Sequence, residues 1–199
     1  MKLPFYTVGH STRTVEELAA LLQTAEVRLV VDIRTVPKSR TNPQFNADAL
    51  PESLESYGIG YERIVELGGL RGKSKAISPD VNGFWENQSF HNYADYALSD
   101  NFHRGLDQLI TLGRKQRCAV MCSEAVWWRC HRRIVADYLL ARGETVFHLM
   151  GDDRIEEAHL TKGASLDSPN AVRYPANNTD NIDNTDNTDN TDNTDNTEA

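Results

Sequence analysis

The sequence predicts a three-layer α/β fold, a mainly parallel sheet with helices on both faces, contained in a single domain. Three observations carry that expectation. Strand-like and helix-like stretches alternate along the chain, the order that builds parallel sheets through crossover helices. Two strand-like runs, "VRLVVDIR" and "CAVMCSE", stay apolar until they end in charge, which suits strands buried on both faces. The chain of 199 residues, 39% of them apolar, is enough for one domain with a sizeable core.

The first element is "FYTVGHS", short and rich in β-forming residues, and it reads as a strand. In "STRTVEELAALL", Thr14 and Glu17 have capping-box spacing ahead of an apolar helical run, so a helix follows. "VRLVVDIR" is the second strand and completes a βαβ unit. Residues 35–88 contain Pro37, Pro43, Pro51 and Pro79, a helix expected over 47–57, and the glycine-rich piece "LGGLRGKSK". Long loops of this kind inside a compact domain are often functional.

A helix near 90–98 comes next, then one over 101–115 with Phe102, Leu106, Leu109 and Ile110 along one face. "CAVMCSE" is the third long strand, residues 129–142 a helix stopped at Gly143, and "TVFHLM" the last strand. The α/β domain is expected over 1–160, with a C-terminal extension over 161–176. From Asn177 the chain repeats Asn, Thr and Asp, can bury almost nothing, and is expected to be a disordered tail over 177–199.

The formal net charge of −8 is concentrated in that tail. Seven acids fall in 177–199, which leaves 22 acids against 21 bases in residues 1–176. Charge therefore gives no indication of a nucleic-acid surface in the body of the protein. Three cysteines, an N-terminus without a long apolar run, and no window near the roughly eighteen apolar residues of a membrane span point to a cytoplasmic protein. Reduced thiols are expected, and no disulfide framework or membrane association.

In open parallel sheets, ligands bind beyond the carboxyl ends of the strands. Those ends deliver His10 and Ser11, then Asp32 and Arg34, then Cys122 and Glu124. The densest chemistry is "MCSEAVWWRCHRR" at 121–133, a strand end, a loop and an expected helix start. Backbone N–H groups at such a start favour an anion, and Arg129, Arg132 and Arg133 add positive charge. The same field lowers the pKa of a nearby thiol, making Cys122 or Cys130 a candidate thiolate.

Other readings of the segment compete. A phosphatase loop of the Cys-x5-Arg kind fails because six residues separate Cys122 from Arg129. Cys122, Glu124, Cys130, His131 and His10 are zinc-ligand types, but without a close Cys-x-x-Cys pair no metal site is assigned. Glu124 and the arginines could form an ion-pair network that only fixes the loop. Cys130 could be a small buried hydrophobe, and Trp127 and Trp128 either pack or stack on a ring-bearing ligand. "LGGLRGKSK" lacks Walker spacing and is a weak anion signal.

The quoted segments, together with "YTVGHST", "VVDIRTVPKSR", "GIGYERIVELGG" and "FHNYADY", resemble the DUF488 family, a domain of unknown function, over nearly all of residues 5–150. Its signature Cys-x-Glu-x5-Cys-His-Arg corresponds here to Cys122, Glu124, Cys130, His131 and Arg132. The resemblance also carries over His10, Ser11, Asp32, Arg34, Pro37 and Ser39. The chain departs from it at "AVWWR", where family members tend to have polar residues or proline. No reaction comes with the family.

The expected function is that of a thiol-dependent enzyme acting on a small anionic or nucleotide-like substrate at the carboxyl edge of the sheet. Cys122 would be nucleophile or redox thiol, with Glu124 and His10 as acid/base or orienting groups. Asp32 would fix Arg34 or His131, while Ser11, Arg34, Cys130, His131, Arg132 and the helix start would hold the anion. The alternative is a non-catalytic ligand- or metal-binding regulatory module. The cofactor is unknown from sequence.

Overall fold

The computed structural model describes residues 2–151 and 154–176, so the Asn/Thr/Asp repeat lies outside the described residues. The elements are β1 (Phe5–Gly9), α1 (Val15–Thr24), β2 (Leu29–Asp32), α2 (Leu50–Glu55), β3 (Gly60–Arg63), α3 (Gln88–Tyr96) and α4 (Asp100–Gly113). They continue with β4 (Cys118–Cys122), α5 (Arg132–Ala141), β5 (Val146–Gly151), β6 (Arg154–Glu157), β7 (Ser165–Ser168) and β8 (Ala171–Arg173). Among the described residues no helix is long and apolar enough to cross a membrane.

Six strands form one sheet in the order β3-β2-β4-β1-β5-β6. The first five run parallel and β6 closes the edge antiparallel to β5. The three-layer expectation is met because side chains alternate across each buried strand. Phe5, Leu29, Val31, Cys118, Val120 and Cys122 face one core with residues of α3, α4 and α5. Tyr6, Val8, Val30, Ala119 and Met121 face the other, under α1 and α2.

Local chemistry sets the helix ends. Thr14 Oγ1 accepts from the Glu17 N–H at 3.2 Å and the Glu17 carboxylate accepts from the Thr14 N–H at 2.8 Å, the predicted capping box. At α3 and α4 the side chains of Asn87 and Ser99 accept from first-turn N–H groups, without the reciprocal carboxylate. The expected helix over 47–57 forms only at Leu50–Glu55, behind a 3₁₀ turn at Pro43–Phe45.

The expected helix over 129–142 begins at Arg132, because Cys130 is extended after a 3₁₀ turn at Trp127–Arg129. "TVFHLM" is not the last strand, since β6 and the β7–β8 hairpin follow. Within the 161–176 segment, Tyr174 is fully buried and donates its hydroxyl to Asp137 of α5 at 2.8 Å.

Candidate functional site

Adjacent strands β1 and β4 send their following helices to opposite faces, α1 to one core and α5 to the other. Strands that diverge in this way leave a crevice at their carboxyl ends. A cavity of about 740 Å³ occupies it, lined among others by His10, Ser11, Arg34, Cys122, Glu124, Cys130 and His131. Seven of the sequence-predicted site residues thus line one cavity. Asp32 and Arg132 do not reach it, and both are buried behind.

The centre of the site is a histidine facing two thiols. His131 Nδ1 lies 3.9 Å from Cys122 Sγ and 3.7 Å from Cys130 Sγ. Its other nitrogen, Nε2, is 3.2 Å from the Ile33 carbonyl oxygen. A carbonyl only accepts, so Nε2 carries the proton and Nδ1 offers either a lone pair or a second N–H to the sulfurs. The ring is held further by the edge of Tyr93, with centroids 4.8 Å apart. It also lies against Gly69, where an added Cβ would come within 2.5 Å of Nδ1.

The two thiols are driven apart in acidity. The Cys130 thiol, acting as donor, holds Cys122 well below the ordinary thiol range, and His131 and the Arg132 charge add to this against the cost of burial. Burial, then the neighbouring Cys122, pushes Cys130 well above that range. Cys118, buried on β4 away from the crevice wall, is pushed up to about 12 by burial alone. The pair therefore consists of one thiolate and one proton-bearing neighbour.

A second cluster holds Arg34 and His10 in place. Asp32, fully buried, accepts from Arg34 Nε at 2.9 Å and Nη2 at 2.6 Å, and from the Tyr61 hydroxyl at 2.7 Å. Arg34 also donates to the Phe45 carbonyl at 2.7 Å and to His10 Nε2 at 3.2 Å. A guanidinium has five N–H groups, and this accounting leaves one on Nη1 for the cavity. Burial opposes the Arg34 charge, but Asp32 more than compensates, so it stays cationic.

His10 Nδ1 donates to the Ser11 carbonyl at 2.9 Å, which leaves Nε2 as the acceptor from Arg34 and the ring neutral. Burial keeps its pKa low. His10 also stacks on Phe45, with centroids 4.2 Å apart. Both ring nitrogens being committed, its contribution is orientation of Arg34.

Arg132 is spent on the loop. Its guanidinium donates to the carbonyl oxygens of Glu124 at 2.6 Å and Ala125 at 3.0 Å, with 1% of the residue exposed. This corrects the ion-pair reading of the segment: among the described residues Glu124 makes no ion pair, and its exposed carboxylate lines the cavity instead. The expected donors of the helix start are also partly used, since the Arg129 and Cys130 N–H groups bond to Val126 and Trp127. Trp127 stacks on His148 at 4.5 Å and donates to Glu156 at 3.1 Å, so it packs, while Trp128 is exposed and off the cavity wall.

Sequence reasoning missed several contributors. Lys38 joins the expected Arg129, exposed here, in bringing cationic side chains to the wall, and Thr35, Val36, Leu70 and Phe90 also line it. Lys38 was legible as part of "VPKSR" directly after Arg34, had the loop been read as cavity lining. Tyr61 and Gly69 sit in the region that periodicity left open. In "LGGLRGKSK", Arg71 donates to the carbonyls of Val65, Glu66 and Gly68 and covers Tyr96, so it fixes that turn.

Fold and site together define a three-layer α/β protein with a cysteine–cysteine–histidine centre in the crevice of its parallel sheet. The chain belongs to the family described as domain of unknown function DUF488, which it matches over residues 14–139. β1 and His10 precede the matched segment, while the Cys122 to Arg132 signature lies within it. No curated protein and no solved structure matches the chain.

Proposed function

We propose that the protein is a thiol-dependent enzyme acting on a small anionic, nucleotide-like substrate bound in the sheet-edge cavity, with Cys122 as nucleophile. The observation that carries this reading is His131, its Nε2–H held by Ile33 and its Nδ1 facing Cys122 at 3.9 Å inside an open cavity. With the Cys122 proton already resting on His131 Nδ1, the thiolate attacks an electrophilic centre and the imidazolium gives that proton to the leaving group.

The anionic character of the substrate is supported by Lys38, Arg129 and the remaining Arg34 donor on the wall. Val36, Leu70 and Phe90 offer apolar surface for a ring, and the cavity falls within the roughly 300–1,000 Å³ common for small-molecule sites. Glu124 would act as acid or base toward the bound molecule, a role supported by its exposure in the cavity lining.

Thermal stabilisation by phosphate, pyrophosphate and a nucleoside monophosphate tests the substrate class. The Lys38→Ala and Arg129→Ala substitutions are expected to weaken the stabilisation together, and Cys122→Ser to preserve it while removing any covalent adduct or turnover. Stabilisation indifferent to Lys38 and Arg129 contradicts the anion assignment. Binding with no Cys122-dependent chemistry on any bound compound makes the cavity a regulatory binding module.

A further inference from the structure

We propose that Cys122, Cys130 and His131 form a capture site for one soft divalent cation of the zinc class, which silences the thiol when it binds. The inference rests on the thiol-enzyme reading for its consequence and on geometry for the site itself. The two sulfurs and His131 Nδ1 all lie within 4.8 Å of one another, and among the described residues they are the one such group of potential metal ligands. His10 and Glu124, the other ligand types read from the sequence, do not belong to it.

Zinc stands about 2.3 Å from a thiolate sulfur and about 2.0–2.1 Å from an imidazole nitrogen, so tetrahedral ligand atoms sit roughly 3.6–3.8 Å apart. The observed sulfur-to-nitrogen separations are 3.9 Å and 3.7 Å. All three ligand atoms lie within 4.8 Å of one another, so a contraction of at most about 1 Å between side chains on one strand end and one loop closes the set.

The hydrogen bond behind His131 points the same way. Metal-bound histidines characteristically donate their other ring N–H to a carbonyl or carboxylate, which fixes the tautomer that coordinates. The Ile33 carbonyl does this for His131, leaving Nδ1 as the coordinating atom on the side of the sulfurs. Two sulfurs and one imidazole select zinc-class metals over calcium or magnesium, which take oxygen ligands.

Three protein ligands leave a fourth position, and all three residues line the cavity. On binding, the cation forms bonds to both sulfurs and Nδ1, and the protons on Cys130 and on Nδ1 leave to solvent. The nucleophile and its base are then both occupied.

Cobalt(II) added to the reduced full-length protein tests the site directly. One equivalent is expected to give the near-ultraviolet sulfur-to-cobalt band and intense visible bands of tetrahedral cobalt, displaced by one equivalent of zinc. The bands should vanish in Cys130→Ser and His131→Gln, both checked for folding by their melting transitions, and persist in Cys118→Ser. Zinc should slow Cys122 alkylation about tenfold or more, reversed by a chelator. Absence of the sulfur-to-cobalt band, or its survival in both ligand variants, overturns the proposal. Slow alkylation of the metal-free protein, with the cobalt bands present, contradicts the thiol-enzyme reading and leaves the metal site standing.

Discussion

His131 is oriented by atoms far from it in sequence, and its role follows from that. Its Nε2 partner is the carbonyl of Ile33, 98 positions away, so the tautomer that aims Nδ1 at Cys122 could not be read from the Cys-x-Glu-x5-Cys-His-Arg spacing. The spacing did announce which residues meet. Replacing His131 by Gln is expected to raise the Cys122 thiol pKa, slowing its alkylation at mildly acidic pH by about tenfold or more, as read by mass spectrometry. His148 gives a different pH effect. Burial, then the Arg132 charge, pushes it down to about 3 from an ordinary 6.5, so it stays neutral when folded. The unfolded chain binds the proton first, so the stabilisation is complete above pH 6.5 and is lost as pH falls from there toward 3. His10 and His103 shift in the same direction, so His148→Gln should flatten part of the acid slope of the melting temperature. An unchanged slope would remove His148 from that account.

Two close approaches hold the site together at the level of elements. The carboxyl end of β1 must be glycine: a Cβ at Gly9 would lie 1.7 Å from the Glu124 carbonyl oxygen, the atom that Arg132 clamps. Gly9→Ala is therefore expected to destabilise the protein by about 1–3 kcal/mol in denaturant melts, the range for overpacking, with the loop after β4 displaced. Gly69→Ala crowds the His131 ring instead, and should alter Cys122 reactivity more than stability. Ser11 contributes a strained backbone, with φ of 51°, pinned by its N–H to the Ser123 carbonyl at 2.9 Å. The capping box of α1 and the amphipathic run of α4 were plain in the sequence because both depend on residues three or four apart. The late start of α5 was not, since the turn at Trp127–Arg129 depends on Trp127 finding His148 and Glu156 on other strands.

The order of the sheet decides where everything converges, and pairing of strands distant in sequence is what local patterns do not carry. The central strands β1, β2 and β4 were legible as apolar runs because both of their faces are covered. The edge strands β3 and β6, and the β7–β8 hairpin, are exposed on much of their surface, so none has an apolar run to announce it. The C-terminal segment adds stability through several polar anchors, of which the buried Tyr174–Asp137 hydrogen bond is one. Tyr174→Phe leaves buried Asp137 without a hydroxyl donor and should cost about 1–3 kcal/mol in a denaturant melt. All of this architecture serves the placing of one thiol against one imidazole at the crevice. The pH dependence of Cys122 alkylation in the metal-free, reduced protein tests that most directly. The rate is expected to hold its plateau well below the ordinary thiol range, set by the Cys130 donor and by His131, and to shift to higher pH when His131 is replaced. A midpoint near the ordinary value of about 8.5, unmoved by the His131 substitution, would contradict the account.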